Sequence, residues 1–158
     1  MRSTITSTVV MFCLIGNVQA ADKAKSPNQI LGGKAAASSR GAGNVYNGTG
    51  SFAGRTSSSG RSTSIYNGQG SLDGRIDHSK NGATIYNRNG GYAGRVSTSG
   101  TSSSFYDSKG SYAGRSTTSG NTTQFYDGQG RFSGRGVTSG NTTSFYDSSG
   151  RFVGRKSK

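Results

Sequence analysis

Arginine recurs at a fixed interval in this chain: Arg55, Arg75, Arg95, Arg115, Arg135 and Arg155 stand twenty residues apart, without slippage. A guanidinium is always charged and presents planar pairs of N–H donors, so an array of them suits carboxylate, sulfate or phosphate groups. Arg131 and Arg151 lie beside the series and join it as candidate ligand-binding residues. Other chemistry is scarce. His78 is the single histidine and falls outside the repeated columns, where it reads as a solvated loop residue. Asp73 and Asp77 are nearby, but one imidazole without a second ligand of known geometry makes a poor metal site. Asp107, Asp127 and Asp147 occupy equivalent turn positions and do not form an acid–base pair. The serines have no base, and a phosphate-cradling glycine loop needs a strand-to-helix context that is missing. The expectation is therefore no enzyme activity, no cofactor and no bound metal. What remains is the arginine array, which is either a ligand-binding surface or a solvated rim.

The elements that position this array can be read from its companions. Tyr46, Tyr66, Tyr86, Tyr106, Tyr126 and Tyr146 keep the same period, and each is preceded by an apolar residue: Val45, Ile65, Ile85, Phe105, Phe125 or Phe145. After each tyrosine comes Asn or Asp, then Gly three residues later, as in Asp147 and Gly150. Asn or Asp at the first position and Gly at the fourth mark a type I turn, with the glycine supplying the left-handed residue of a bulged hairpin loop. A second aromatic or leucine follows, Phe52, Leu72, Tyr92, Tyr112, Phe132 or Phe152, then Gly and Arg. Between repeats, stretches such as Thr118-Ser119-Gly120-Asn121 read as a second hairpin turn, although Ser79-Lys80-Asn81-Gly82 moves the glycine and predicts a different turn type. Thr, Ser, Phe and Tyr between the turns suit strands, and no segment has helical period. The predicted fold is all-β: six twenty-residue β-hairpin repeats, starting at residues 46, 66, 86, 106, 126 and 146, in a ring or shallow barrel. The alternative is a β-solenoid with one repeat per coil, which would stack like-charged arginines on one another.

A three-residue loop would pair Tyr146 with Phe152, Phe145 with Val153 and Thr143 with Arg155. Alternation then places Tyr146, Phe152, Ser144 and Gly154 on one face, which we expect to be the core, with Gly154 leaving room for a neighbouring ring. The other face would carry Phe145, Val153, Asp147, Arg151 and Arg155. Its apolar column either fills a second small cluster or forms an exposed surface beside the arginines.

The flanking sequence and the charge bound the setting. Arg2, the apolar run Val9-Val10-Met11-Phe12-Cys13-Leu14-Ile15 and Val18-Gln19-Ala20 before Ala21 have the layout of a secretory signal over residues 1–20. Its removal takes the only cysteine and, with Arg2, one unit of the net charge of +13. No transmembrane segment would remain. Residues 21–28, with Pro27, read as a flexible lead-in, and residues 29–158 as the β-repeat domain. Leu31-Gly32-Gly33-Lys34 resembles half a repeat and is expected to supply a strand that helps close the array. The composition by itself (high charge, 27 glycines, few large aliphatics) is that of disorder. Six columns in register argue for folding instead.

The phrase Tyr-Asp-x-x-Gly-x-x-x-Gly, seen in residues 106–114, 126–134 and 146–154, resembles the short repeats of β-flower proteins. That resemblance implies hairpin petals around an axis and brings no catalytic residues. A looser likeness is to the YD repeats of Rhs-type toxin shells, which need many more copies. Curli-like subunits share a twenty-residue, two-strand repeat but characteristically carry a Gln column that is missing here. The functional expectation is an exported, periplasmic or secreted, structural or binding protein for acidic partners: a polysaccharide, a lipid headgroup or an acidic protein. A self-assembling fibre or matrix subunit is the first alternative. Nucleic-acid binding through the Arg and Tyr array is the second.

Overall fold

The computed structural model describes residues 42–158. The expected signal, lead-in and half-repeat at Leu31–Lys34 lie outside the described residues. Twelve strands follow in order: β1 (Gly43–Asn47), β2 (Phe52–Ser59), β3 (Ser62–Asn67), β4 (Leu72–Ser79), β5 (Gly82–Asn87), β6 (Tyr92–Ser99), β7 (Ser102–Tyr106), β8 (Tyr112–Ser119), β9 (Thr122–Asp127), β10 (Phe132–Ser139), β11 (Thr142–Asp147) and β12 (Phe152–Ser157). Each pairs antiparallel with its neighbours in sequence, and β1 pairs with β12, so the sheet is a closed barrel of hairpins. The solenoid alternative is overturned, because every ladder is antiparallel and the strands meander round one axis. Register explains the closure. Val45 faces Gly54, and Gly54 faces Asn67, two places beyond Ile65, the counterpart of Val45. The same stagger in every repeat tilts the strands and brings β12 round to β1.

Both turn types have local causes. In the loop after Tyr146, Asp147 Oδ1 accepts the amides of Ser149 at 2.9 Å and Arg151 at 3.0 Å. Gly150 N–H donates to the Asp147 carbonyl at 3.0 Å, and Gly150 has φ +84°, a left-handed conformation that favours glycine. Asn47, Asn67, Asn87, Asp107 and Asp127 accept the equivalent pair of amides. At the other end two-residue turns join the hairpins, and the atypical repeat keeps that length, with Ser79 opposite Gly82 as Ser59 is opposite Ser62.

A bulge unseen in the sequence decides which side faces inward. Tyr146 does pair with Phe152, but Val153 is skipped, so Phe145 faces Gly154, Ser144 faces Arg155 and Thr143 faces Lys156. A one-residue shift exchanges the faces of everything beyond it. The expected core face is therefore inverted. Val45, Ile65, Ile85, Phe105, Phe125 and Phe145 are buried inside the barrel, whereas Phe52, Leu72, Tyr92, Tyr112, Phe132 and Phe152 are exposed outside. The inner layer pairs residues of different size in most repeats. Thr56 faces Ile65, Ile76 faces Ile85, Val96 faces Phe105, Ser116 faces Phe125, and Gly136 faces Phe145. Pairing two of the three rings, Phe125 and Phe145, with the smallest partners fills the lumen without overpacking. Beyond this layer, toward the two-residue turns, the lumen becomes polar, with hydroxyl pairs Ser58–Thr63, Thr98–Ser103, Thr118–Thr123 and Thr138–Thr143 at 2.9–3.1 Å.

Two further expectations are corrected here. Gly154 does not make room for a ring: a Cβ there would sit 2.6 Å from the Tyr46 carbonyl oxygen, at the β12–β1 seam. The seam requires close backbone approach at φ +152°. Gly154→Ala is expected to lower stability by about 1–3 kcal/mol through strain at the closing ladder, measured by urea denaturation. His78 is not a solvated loop residue. It lies on β4, points into the lumen with 6% exposure, and its Nε2 is 3.1 Å from Thr63 Oγ1.

Candidate functional site

The bulge that inverts the core also moves the arginines. Expected beside the Phe column, they emerge on the outer wall beside the tyrosines, because each Arg lies across a strand pair from the Tyr of the next repeat: Arg55 faces Tyr66, Arg75 faces Tyr86 and Arg155 faces Tyr46 over the seam. Each guanidinium sits over that ring. The carbon-to-centroid distances are 4.3 Å for Arg55 on Tyr66, 4.9 Å for Arg75 on Tyr86 and 4.0 Å for Arg95 on Tyr106. They are 4.7 Å for Arg115 on Tyr126, 5.2 Å for Arg135 on Tyr146 and 5.1 Å for Arg155 on Tyr46. A cation over a phenol face gains about 0.5–1 kcal/mol at an exposed site, and here it also fixes the plane of the guanidinium.

The tyrosines are held in turn. Tyr46–Phe52, Tyr106–Tyr112, Tyr126–Phe132 and Tyr146–Phe152 meet edge-to-face, with centroids 6.0–6.2 Å apart. The result is a belt round the barrel in which Arg and Tyr recur on alternate strands, joined by an exposed aromatic in five repeats and by Leu72 in the other. Successive arginines are two strand spacings apart across the sheet and two residues apart along it, so they stand roughly 12 Å apart round the wall. Toward the two-residue turns the outward residues are polar, among them Ser64, Thr84, Ser97, Ser104, Thr117 and Gln124. A lipid-spanning barrel would carry an apolar band there.

The candidate arginines do not have equal freedom. Arg75 also pairs with Asp77 at 3.1 Å, and Asp77 accepts the Ser62 hydroxyl at 2.6 Å. Arg55, Arg115, Arg135 and Arg155 have no acid partner among the described residues. Arg131 and Arg151 stand apart from the belt, in the loops, where Arg131 Nε lies 2.8 Å from Asp127 Oδ2 and Arg151 Nε 3.0 Å from Asp147 Oδ2. Hydrogen bonds from the Ser149 hydroxyl and from Arg151 hold the Asp147 carboxyl down to about 2, and those from Arg131 lower that of Asp127. Both carboxylates thus stay ionised through mild acid and keep their loop arginines partly neutralised. Sequence reasoning found the six arginines but missed the tyrosines as their platforms, since only the bulge brings the two columns to one face.

The lumen holds a second feature that the repeat pattern did not single out. Lys156 points inward from β12 and is 4% exposed. Burial, aided by the nearby Lys158, pushes its ammonium down to about 8. Among the described residues no group of three His, Cys, Asp or Glu is arranged to hold a metal ion. No family model matches the chain, and no curated protein matches it as a relative.

Proposed function

We propose that this protein is an exported, non-enzymatic binding module that holds an acidic polysaccharide against its outer belt, in the periplasm or outside the cell. The observation that carries this reading is the set of six guanidinium–phenol stacks spaced evenly round a closed wall. Pre-oriented guanidinium edges suit carboxylate or sulfate groups, and the exposed rings between them suit the apolar faces of sugar rings. A flexible polymer can follow the curve of the barrel where a flat surface touches only part of it. The net charge, +13 for the full sequence and one unit less without Arg2, draws such a polymer in. A lipid headgroup surface or an acidic protein would use the same arginines. The barrel's closure leaves no unpaired edge among the described strands, which removes support from fibre growth by strand addition. The β-flower resemblance rests on the repeated phrase, and hairpins around an axis are the arrangement it implies.

The test is calorimetric titration with heparin and with polygalacturonate at low and high salt. Affinity is expected to fall with salt. The variant with Arg55, Arg115, Arg135 and Arg155 all changed to Ala is expected to bind at least tenfold more weakly. Unchanged affinity in that variant would reduce the belt to a solvated rim, and preference for single-stranded DNA over either glycan would favour the nucleic-acid reading.

A further inference from the structure

We propose that the barrel lumen binds one small anion at Lys156. This site is separate from the outer belt and faces the opposite side of the wall. Lys156 is buried to 4% exposure, and its Nζ has no hydrogen-bond partner. An ammonium in that setting calls for a counter-charge or acceptors. None of the described aspartates supplies one. Asp107, Asp127 and Asp147 are committed to the loops, and Asp77 points outward to Ser62 and Arg75. Asp73 lies at the loop end of β4, whereas Lys156 lies toward the two-residue turns.

The wall is shaped for the lysine. The inward column that contains Thr63, Ala83, Ser103, Thr123 and Thr143 has Gly43 as its member on β1. A Cβ on Gly43 would stand 2.7 Å from Lys156 Cε and 3.5 Å from Nζ, so the side chain lies along the wall in the space that glycine leaves. Thr143 faces Lys156 from β11, and Thr56, opposite Gly43 on β2, directs its hydroxyl at the Gly43 carbonyl at 3.4 Å.

A second observation is independent of the lysine. Ser116 holds the position of Lys156 two repeats earlier; it is fully buried, and its Oγ also has no partner. The lumen therefore presents an unpaired ammonium on β12 and, four strands away on β8, an unpaired hydroxyl. The charged and titratable groups at this end are Lys158 just after β12, Arg61 and Lys80 in the two-residue turns, and His78 on β4, while β1 and β11 place Gly43, Val45, Thr143 and Phe145 on the inward side, Val45 directly opposite Lys156. Lys158 adds positive charge at the mouth, which favours entry of an anion.

The experiment is differential scanning calorimetry of the whole mature protein with formate, phosphate or chloride, at ionic strength held constant with a bulky organic buffer anion. A saturable rise in Tm with at least one of these probes is expected, and it should persist in the variant lacking the four belt arginines. It should be lost in Lys156→Met. A rise of equal size in Lys156→Met would mean surface binding only and would overturn the proposal, as would no saturable rise with any probe. Should Lys156→Met not fold, the Nζ ammonium resonance of Lys156 in the unaltered protein decides. A shift that saturates with the anion supports the site, and no shift overturns it.

Discussion

Phe105→Ala is expected to destabilise the barrel by about 3–5 kcal/mol, the range for truncating a fully buried phenylalanine, whereas Tyr106→Ala next to it should cost about 1–2 kcal/mol. Phe105 has no exposed surface and faces Val96 across the β6–β7 ladder, so its removal leaves a hole that the neighbouring strands of a closed sheet cannot collapse to fill. Tyr106 instead lies on the outer wall between Arg95 and Tyr112, and truncating it removes one cation–π and one edge-to-face contact that are already wet. Urea denaturation of the two variants measures the difference. A larger loss from Tyr106→Ala would restore the opposite assignment of faces. Gly136→Ala extends the test, because a Cβ there would stand 3.1 Å from the Phe145 ring and press on the same inner layer.

Lys156→Met is expected to stabilise the protein at neutral pH, in a buffer of bulky anions, by about 2–3 kcal/mol, and to flatten its stability against pH. The sign follows from linkage. Burial lowers the folded-state ammonium to about 8 from its ordinary 10.5, so between these values the unfolded chain holds a proton that the folded chain has released. Where the unfolded state binds more protons, stability rises with pH. The unaltered protein should therefore gain stability from pH 8 to pH 10.5. Below pH 8 both states are charged and the full desolvation penalty is present. Methionine fills a similar volume without the charge, and replacing a buried unpaired charge with an apolar side chain removes that penalty. Thermal denaturation of both proteins across this range provides the check. A parallel rise in Lys156→Met would assign the pH dependence to the other lysines and the tyrosines.

The two outcomes bear on different parts of the fold. The first concerns which face of a strand is buried, the second a single departure from the repeat. Lys156 follows Thr56, Ile76, Val96, Ser116 and Gly136 in its column, and a lysine there reads from sequence as one more solvated charge near the end of the chain. Its burial depends on Gly43, which is far away in sequence and adjacent only after β12 closes on β1. His78 was misread for a related reason. It stands in a column of Ser and Thr that points into the lumen, and a lone histidine next to a displaced glycine resembles a loop.

The amino-acid sequence alone determined the all-β class, the six repeats, the positions of both turns and the pairing of each Tyr across its loop with an aromatic or, at Tyr66, with Leu72. These are local, since a short amide or carboxylate caps its own turn and a glycine supplies the left-handed residue three places on. The inner column had a legible signal as well. Val45 to Phe145 carry no polar atom, while every tyrosine carries a hydroxyl that is better left near water. What only the tertiary structure decided was the bulge at Val153 and its five equivalents, and with it the inside and outside of the molecule. A bulge is set by the strand pairing on both sides of it, and here it admits the close approach of Gly154 to the Tyr46 carbonyl across the seam. That one extra residue per repeat put the phenylalanines in the lumen, stacked the arginines on the tyrosines of the following repeat, and turned Lys156 inward.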